Sequence, residues 1–354
     1  MILTAHPASG SAALAEVRSI DPGSRLRKWL APGVGWVELG IDWDSLARRF
    51  REQPPVFCRH ICPVQVHIPL KQDAADLDDL AEVSRRYLPD LNLAQTFSVQ
   101  TRLMASGWPY ARYDVNERLS KELIGQGVPL DVRRPEQVFS VVLAPDQGYL
   151  GLSRAADNLS DWAGGARRFM AEEGQISRAE FKLLEALELF ELSFPAHGVA
   201  LDLGAAPGGW TRVLRNHDMS VVAVDTADLD QRIISDLAVR HVRQTAQSYL
   251  PTTDQRFDVI LNDMRMDARD SARIMVSAAR NLKAGGWALL TLKLPKRGIE
   301  QIAASALDVL RRCYTVMGAR QLFHNRNEIT VALRRAGQGE PSLGGPDERS
   351  KRRD

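Results

Sequence analysis

The run Leu201-Asp202-Leu203-Gly204-Ala205-Ala206-Pro207-Gly208-Gly209-Trp210 constrains this chain more than any other segment. It follows the apolar pair Val199-Ala200, which reads as a buried strand, and precedes Thr211 to His217, which reads as the start of a helix. A strand, a turn of small residues and a helix put backbone N–H groups beside whatever ligand fills the turn. Glycine lets that ligand approach the backbone closely. A second apolar strand, Ser220 to Val224, ends at Asp225. An acid there is placed to accept hydrogen bonds from both hydroxyls of a ribose. The half-site therefore fits an adenosine-type cofactor. The turn does not read G-x-G-x-x-G, as NAD prefers, and the P-loop pattern ending in Lys-Ser or Lys-Thr is absent. S-adenosylmethionine carries no phosphate, so its turn needs close approach more than an anion cradle. It is the expected cofactor; NAD and an empty structural turn are the alternatives.

From Ser177 onward, strands alternate with amphipathic helices. Strands are expected at 199–204, 220–225, 257–263 and 287–293, and helices at 178–192, 209–217, 270–282 and 300–313. Two final strands, 316–323 and 329–334, suit an antiparallel edge hairpin. This pattern predicts an α/β fold with a doubly wound sheet, whose ligands bind at the carboxyl ends of the strands. The N-terminal half reads as α+β. Its first seventy residues run strand, helix, strand, strand, helix, strand, ending in one long strand over 56–68, and suggest a ferredoxin-like unit. An acidic helix over 73–87 opens a second α/β block with a strand at 96–103, a helix at 113–125, an extended 131–133 and a hairpin about Pro145-Asp146. The expected division is 1–70, 71–157, a connector over 158–176, the α/β domain over 177–336 and a disordered tail over 337–354.

Four charged residues fall where this geometry puts an active site. Asp263 and Lys293 close apolar strands, Lys182 lies in the helix before the first strand, and Glu328 opens the last strand. A lone lysine in a helix is usually a solvated side chain, and a lone glutamate after asparagine a loop charge. A lysine closing an apolar strand is less ordinary. In order, these four residues resemble the Lys-Asp-Lys-Glu tetrad of FtsJ-type RNA 2′-O-ribose methyltransferases. The stretches Leu201–Trp210, Asn262-Asp263-Met264, Leu292-Lys293-Leu294-Pro295 and Asn327-Glu328-Ile329-Thr330-Val331 are similar to the large-subunit ribosomal RNA ribose methyltransferase M family. The N-terminal half resembles a THUMP-like domain preceded by a ferredoxin-like unit, with 54–64 at their junction.

That resemblance implies a Rossmann-like methyltransferase domain using S-adenosylmethionine and acting on RNA. The implied substrate is a cytidine of large-subunit ribosomal RNA, and THUMP-like modules also serve transfer RNA enzymes. It implies cofactor contacts from Gly204, Ala206, Pro207, Gly208, Gly209 and Trp210, with Asp225 on the ribose and Asp263 on the methionine side. The family's acid for the adenine amine is missing from Arg243-Gln244-Thr245-Ala246-Gln247, so Gln244 or a backbone carbonyl would substitute. Ala179 stands where the family tends to have a hydroxyl residue. A ribose 2′-hydroxyl is a weak acid, and a lysine removes its proton only where part of that lysine is neutral; burial and a neighbouring cation favour this. Lys293 is the expected base and Lys182 the cation that stabilises the alkoxide. Asp263 would hold Lys293, and Glu328 would orient the lysines or the ribose.

The rival readings are a methyltransferase acting on an RNA base and a non-catalytic RNA-binding protein. Asn262-Asp263-Met264-Arg265 lacks the Asn/Asp-Pro-Pro-aromatic pattern of many base methyltransferases. The chain has 354 residues, 44% hydrophobic and 25% charged, ordinary for a soluble globular protein. A net charge of +2 is compatible with a polyanionic partner without demanding one. No apolar run is long enough to span a bilayer, and three cysteines suit a reducing compartment, so the cytoplasm is the expected location; a monomer is expected as well. Cys58-x-His60-x-Cys62 puts three metal-ligand types on one strand face with no evident fourth, so no metal is expected.

Overall fold

The computed structural model describes residues 1–86 and 90–336, and its strands form three sheets. The first holds β1 (Ile2–Ala5), β2 (Arg25–Ala31), β3 (Val34–Glu38) and β4 (Cys58–Cys62) in the order β2-β3-β1-β4, every pair antiparallel. Helices α1 (Gly10–Ile20) and α2 (Trp43–Glu52) complete a βαββαβ unit. Asp42 caps α2, its carboxylate accepting from Ser45 N at 2.8 Å.

The second sheet holds β5 (Val66–Pro69), β6 (Phe97–Leu103), β7 (Gln137–Leu143) and β8 (Gln147–Arg154) in the order β5-β8-β7-β6. Helices α3 (Asp76–Arg85) and α4 (Arg112–Ile124) cover one face through Leu80 and Leu119. A smaller apolar cluster, including Ile2, Cys62, Val142 and Tyr149, joins this sheet to the first.

The third sheet comprises β9 (Val199–Leu203), β10 (Ser220–Val224), β11 (Val239–Val242), β12 (Phe257–Asn262), β13 (Leu282–Lys293), β14 (Tyr314–Arg320) and β15 (Glu328–Arg335). Its order is β11-β10-β9-β12-β13-β15-β14, parallel through β13, with β15 antiparallel to both neighbours. Helices α5 (Glu180–Leu189) and α6 (Gly209–Asn216) cover one face through Leu183 and Val213; α9 (Ala268–Ala278) and α10 (Ile299–Leu310) cover the other through Met275 and Leu307. Two short helices, α7 (Gln231–Ile234) and α8 (Ala246–Tyr249), flank β11. A parallel sheet clad on both faces is the Rossmann-like arrangement.

Several expectations need correction. The long strand over 56–68 is two strands in different sheets, because Pro63 has no N–H to extend the ladder. Strand β11 was not expected at all. The helix after Asp263 ends at Ala278, and β13 begins at Leu282, well before Trp287. Residues 132–134 bend beside a single bridge at Leu130, so the run over 131–133 is not extended as expected. The acidic helix spans Asp76–Arg85; Tyr87 and the tail 337–354 lie outside the described residues.

The first unit is joined directly to the third sheet. Leu3 and Phe57 share an apolar cluster with Leu292 and Ile329. Buried Arg59 donates from Nε to Gln321 O at 2.9 Å and from Nη2 to Asn325 O at 3.4 Å, and Gln321 N donates to Val56 O at 2.7 Å. Arg59→Met leaves those buried carbonyls without their donors and should lower stability by about 2–3 kcal/mol, read from the midpoint of urea unfolding.

Candidate active site

Strand ends converge on one cleft. The β13–β15 register sets Lys293 directly opposite Glu328, which brings their side chains together on one face. Asp263 follows the last residue of neighbouring β12, and Lys182 reaches in from α5. Lys182 Nζ lies 2.8 Å from Glu328 Oε1 and 3.3 Å from Asp263 Oδ2; Lys293 Nζ lies 2.6 Å from Asp263 Oδ1 and 3.5 Å from Glu328 Oε2. Two ammonium groups and two carboxylates thus form one closed, charge-balanced ring.

Partial burial makes these charges matter more than surface pairs. Burial favours the neutral form of Lys182, but the carboxylates of Asp263 and Glu328 outweigh it and hold this amine above the ordinary lysine value. Burial likewise pushes the Asp263 and Glu328 carboxyls up, and the two lysines more than reverse that, leaving both below the usual carboxylate range. Lys182 is therefore a fixed cation. Lys293 differs in its partners: its Nζ also donates to Thr291 Oγ1 at 2.8 Å, while Thr291 donates to Asp263 Oδ1 at 2.5 Å.

The ring opens into a cavity of 990 Å³ whose lining includes Gly204, Ala206, Pro207, Gly209, Trp210 and Asp225 as well as all four ring residues. Gly204 has φ +76°, and a Cβ there would press on Met264, so only glycine keeps this wall flat. Gly208, at φ +114°, supports the turn from behind and does not line the cavity. Trp210 is buried, and its indole N–H donates to Ala179 O at 2.8 Å; it anchors the start of α5 as well as lining the cleft. Asp225 accepts from Ala206 N at 3.0 Å and from Ala227 N at 2.9 Å, which fixes its carboxylate at the cavity wall. Gln244 to Gln247 line the same cavity beyond β11, where no acid is found.

A cleft of this shape, glycine-walled, with an acid at the end of β10 and carboxylates at one end, fits S-adenosylmethionine. The adenosine half would sit against Asp225 and Gln244, and the sulfonium end beside Asp263. Two residues here were missed from the sequence. Asp202 lines the cavity from inside an apolar strand, with Thr211 Oγ1 donating to it at 2.7 Å. Thr291 shares a strand face with Lys293, two residues away. An acid in the Leu201–Leu203 run and a hydroxyl at the alternate position were the available signals. Cys58, His60 and Cys62 are buried in β4, and among the described residues no His, Cys, Asp or Glu side chains group in a way that could hold a metal ion. No helix among the described residues is long and apolar enough to cross a membrane.

Residues 175–301 match the FtsJ-like methyltransferase family. The chain is similar along nearly its whole length to ribosomal RNA large subunit methyltransferase M of Alkalilimnicola ehrlichii: 29% identical, over 96% of this chain and 95% of that one. The protein of the same name from Halorhodospira halophila is 36% identical over 49% of this chain and 51% of its own. Among solved structures, TrmN from Thermus thermophilus aligns with 95% of this chain and 99% of that one at 18% identity, with a TM-score of 0.39.

Proposed function

We propose that this chain, an FtsJ-like S-adenosylmethionine-dependent RNA methyltransferase, methylates a ribose 2′-hydroxyl of large-subunit ribosomal RNA, at a cytidine. The observation that carries the reading is the ring of Lys182, Asp263, Lys293 and Glu328 opening into the same cavity as the glycine-walled turn. Base methylation at a ring nitrogen or an exocyclic amine has no need of two lysines braced by two carboxylates. A sugar hydroxyl does, because it is a weak acid whose oxygen must give up its proton as it takes the methyl.

When bound, the cofactor supplies an electrophilic methyl group on a sulfonium. Lys293 Nζ, its proton first lost to solvent, accepts the proton of the 2′-hydroxyl as the ribose oxygen takes the methyl. Lys182 stays charged and faces the oxygen as negative charge grows on it. Asp263 and Thr291 aim the amine of Lys293, and Glu328 fixes Lys182. Much of the acceleration comes from holding the hydroxyl in line with the methyl group. Arg178, Arg265 and Arg326 line the cavity, are exposed and form no ion pair among the described residues, so their guanidinium groups are free for RNA phosphates.

The N-terminal units, ferredoxin-like over 1–70 and THUMP-like over 71–157, dock the RNA on this reading. The enzyme works as a monomer, since one chain supplies the whole cavity. It works in the cytoplasm, where the free Cys58, Cys62 and Cys313 thiols persist. The test is nucleoside mass spectrometry of ribosomal and transfer RNA from cells with and without the protein. Loss of one 2′-O-methylcytidine from the large-subunit RNA is expected. Loss of a base-methylated nucleoside, or of a transfer RNA mark, overturns the acceptor or the substrate respectively.

A further inference from the structure

The connector between the N-terminal sheets and α5 carries a ladder of flat side chains that leads into the reaction cavity. Arg167 Cζ lies 4.6 Å from the centre of the Trp162 ring and 4.1 Å from that of Phe169. Phe169 stacks on Phe181, with centroids 5.8 Å apart and planes within 13°. His324 packs against both phenyl rings, at 5.6 and 5.2 Å, and lines the cavity beside Lys182 and Glu328. Phe181 is the residue before Lys182. The ladder is rigidly set: Arg167 donates from Nε and Nη2 to the two oxygens of the Glu188 carboxylate, each at 2.7 Å, and from Nη1 to Arg168 O at 3.0 Å.

Its outer rung is not covered. Trp162 is 40% exposed, although a tryptophan serving only to pin a connector would be buried under it. At the inner end, His324 Nε2 is buried without a hydrogen-bond partner. Arg178 and Arg326, unpaired, flank this end at the cavity rim. Stacked aromatic and guanidinium planes bordered by free cations match single-stranded RNA, whose unpaired bases stack on such planes while its phosphates meet the cations.

We propose that the Trp162–Arg167–Phe169 ladder is a stacking platform for an unpaired nucleobase flanking the target nucleotide, and that it holds the strand while the target ribose enters the ring of lysines and carboxylates. This deepens the RNA reading above and rests on it. The platform explains why the connector is built of planar side chains: it can select an acceptor in a single-stranded or flipped-out setting without reading its sequence.

The test measures equilibrium binding of large-subunit ribosomal RNA, extracted from cells lacking the protein, with S-adenosylhomocysteine present so that no turnover is needed. Trp162→Ala should weaken RNA binding about tenfold, the effect of losing one base–aromatic stack. Trp162→Phe, which keeps a ring face, should recover most of it. Cofactor affinity and melting temperature should not change in either variant. The proposal is overturned if Trp162→Ala binds RNA like the parent chain, if Trp162→Phe is as weak as Trp162→Ala, or if the loss is matched by lost cofactor affinity or a lower melting temperature. That last result would make the ladder a mere anchor for α5. Failure of the ribose reading shows separately, as the absence of a 2′-O-methyl product from the unaltered enzyme.

Discussion

Lys293→Ala should reduce methyl transfer by about 10³-fold, the range expected for losing a general base, while leaving cofactor binding intact. The retained binding follows from the geometry. Lys293 ends β13, which β9 and β12 separate from β10 and the Asp225 that follows it, and in its absence Asp263 keeps Lys182 as a partner at 3.3 Å. Lys293→Arg sharpens the test. Arginine keeps the positive charge beside Asp263 but does not give up its proton near neutral pH. A residue needed only for its charge would survive that change; a base would not. Turnover in Lys293→Arg should therefore be as low as in the alanine variant. Single-turnover rates with saturating cofactor measure this directly, and a Lys293→Arg enzyme working at the parental rate would remove Lys293 from the role of base. Lys182→Arg should behave in the opposite way and keep part of the activity, because the ring holds Lys182 as a cation throughout.

Much of this site could be read from the order of residues, because the features that place it are local. Asp263 and Lys293 close apolar runs, and in a parallel sheet the ends of such runs share one edge. Glu328 needed one further fact, the antiparallel return of β15, which sets it against Lys293. The same local logic failed where the chain makes a choice between sheets. Residues 56–68 alternate well enough for one strand, but only the fold shows that Pro63 hands the chain from the first sheet to the second. Strand β11 was hidden because it is a short edge strand reading Val239-Arg240-His241-Val242, half exposed and without an apolar run. The contacts of Arg59 and the packing of His324 on Phe169 and Phe181 join residues far apart in sequence, and no periodicity marks such pairs. Asp202 is hidden for another reason: it sits inside the buried strand of the glycine motif, where nothing local separates an acid that lines the cleft from one that only pairs with Thr211.

Asp202 should make cofactor affinity strongly dependent on pH. Its carboxyl is buried, and burial raises it to about 7; the hydrogen bond from Thr211 opposes that rise, and the carboxylates of Asp263 and Asp225 reinforce it. The folded, cofactor-free chain therefore binds a proton that the unfolded chain has already released by about pH 5. It follows that the stabilisation attached to this proton is complete at low pH and is lost as pH rises through about 7, at most about 4 kcal/mol in all. A cationic cofactor reverses the balance. A positive charge in the cavity favours the ionised carboxylate, so binding expels the proton and tightens as protons become scarce. Affinity should climb about tenfold per pH unit between about pH 5 and 7 and level off above, as expected for release of one proton. Calorimetry across that range should show the slope, together with a heat that varies with the ionisation enthalpy of the buffer. Asp202→Asn keeps the acceptor for Thr211 but cannot ionise, so it should bind with a nearly flat profile and no buffer-dependent heat. A slope that persists in Asp202→Asn would assign the proton to another group, because nothing else about the cavity wall changes when one carboxyl oxygen becomes an amide nitrogen.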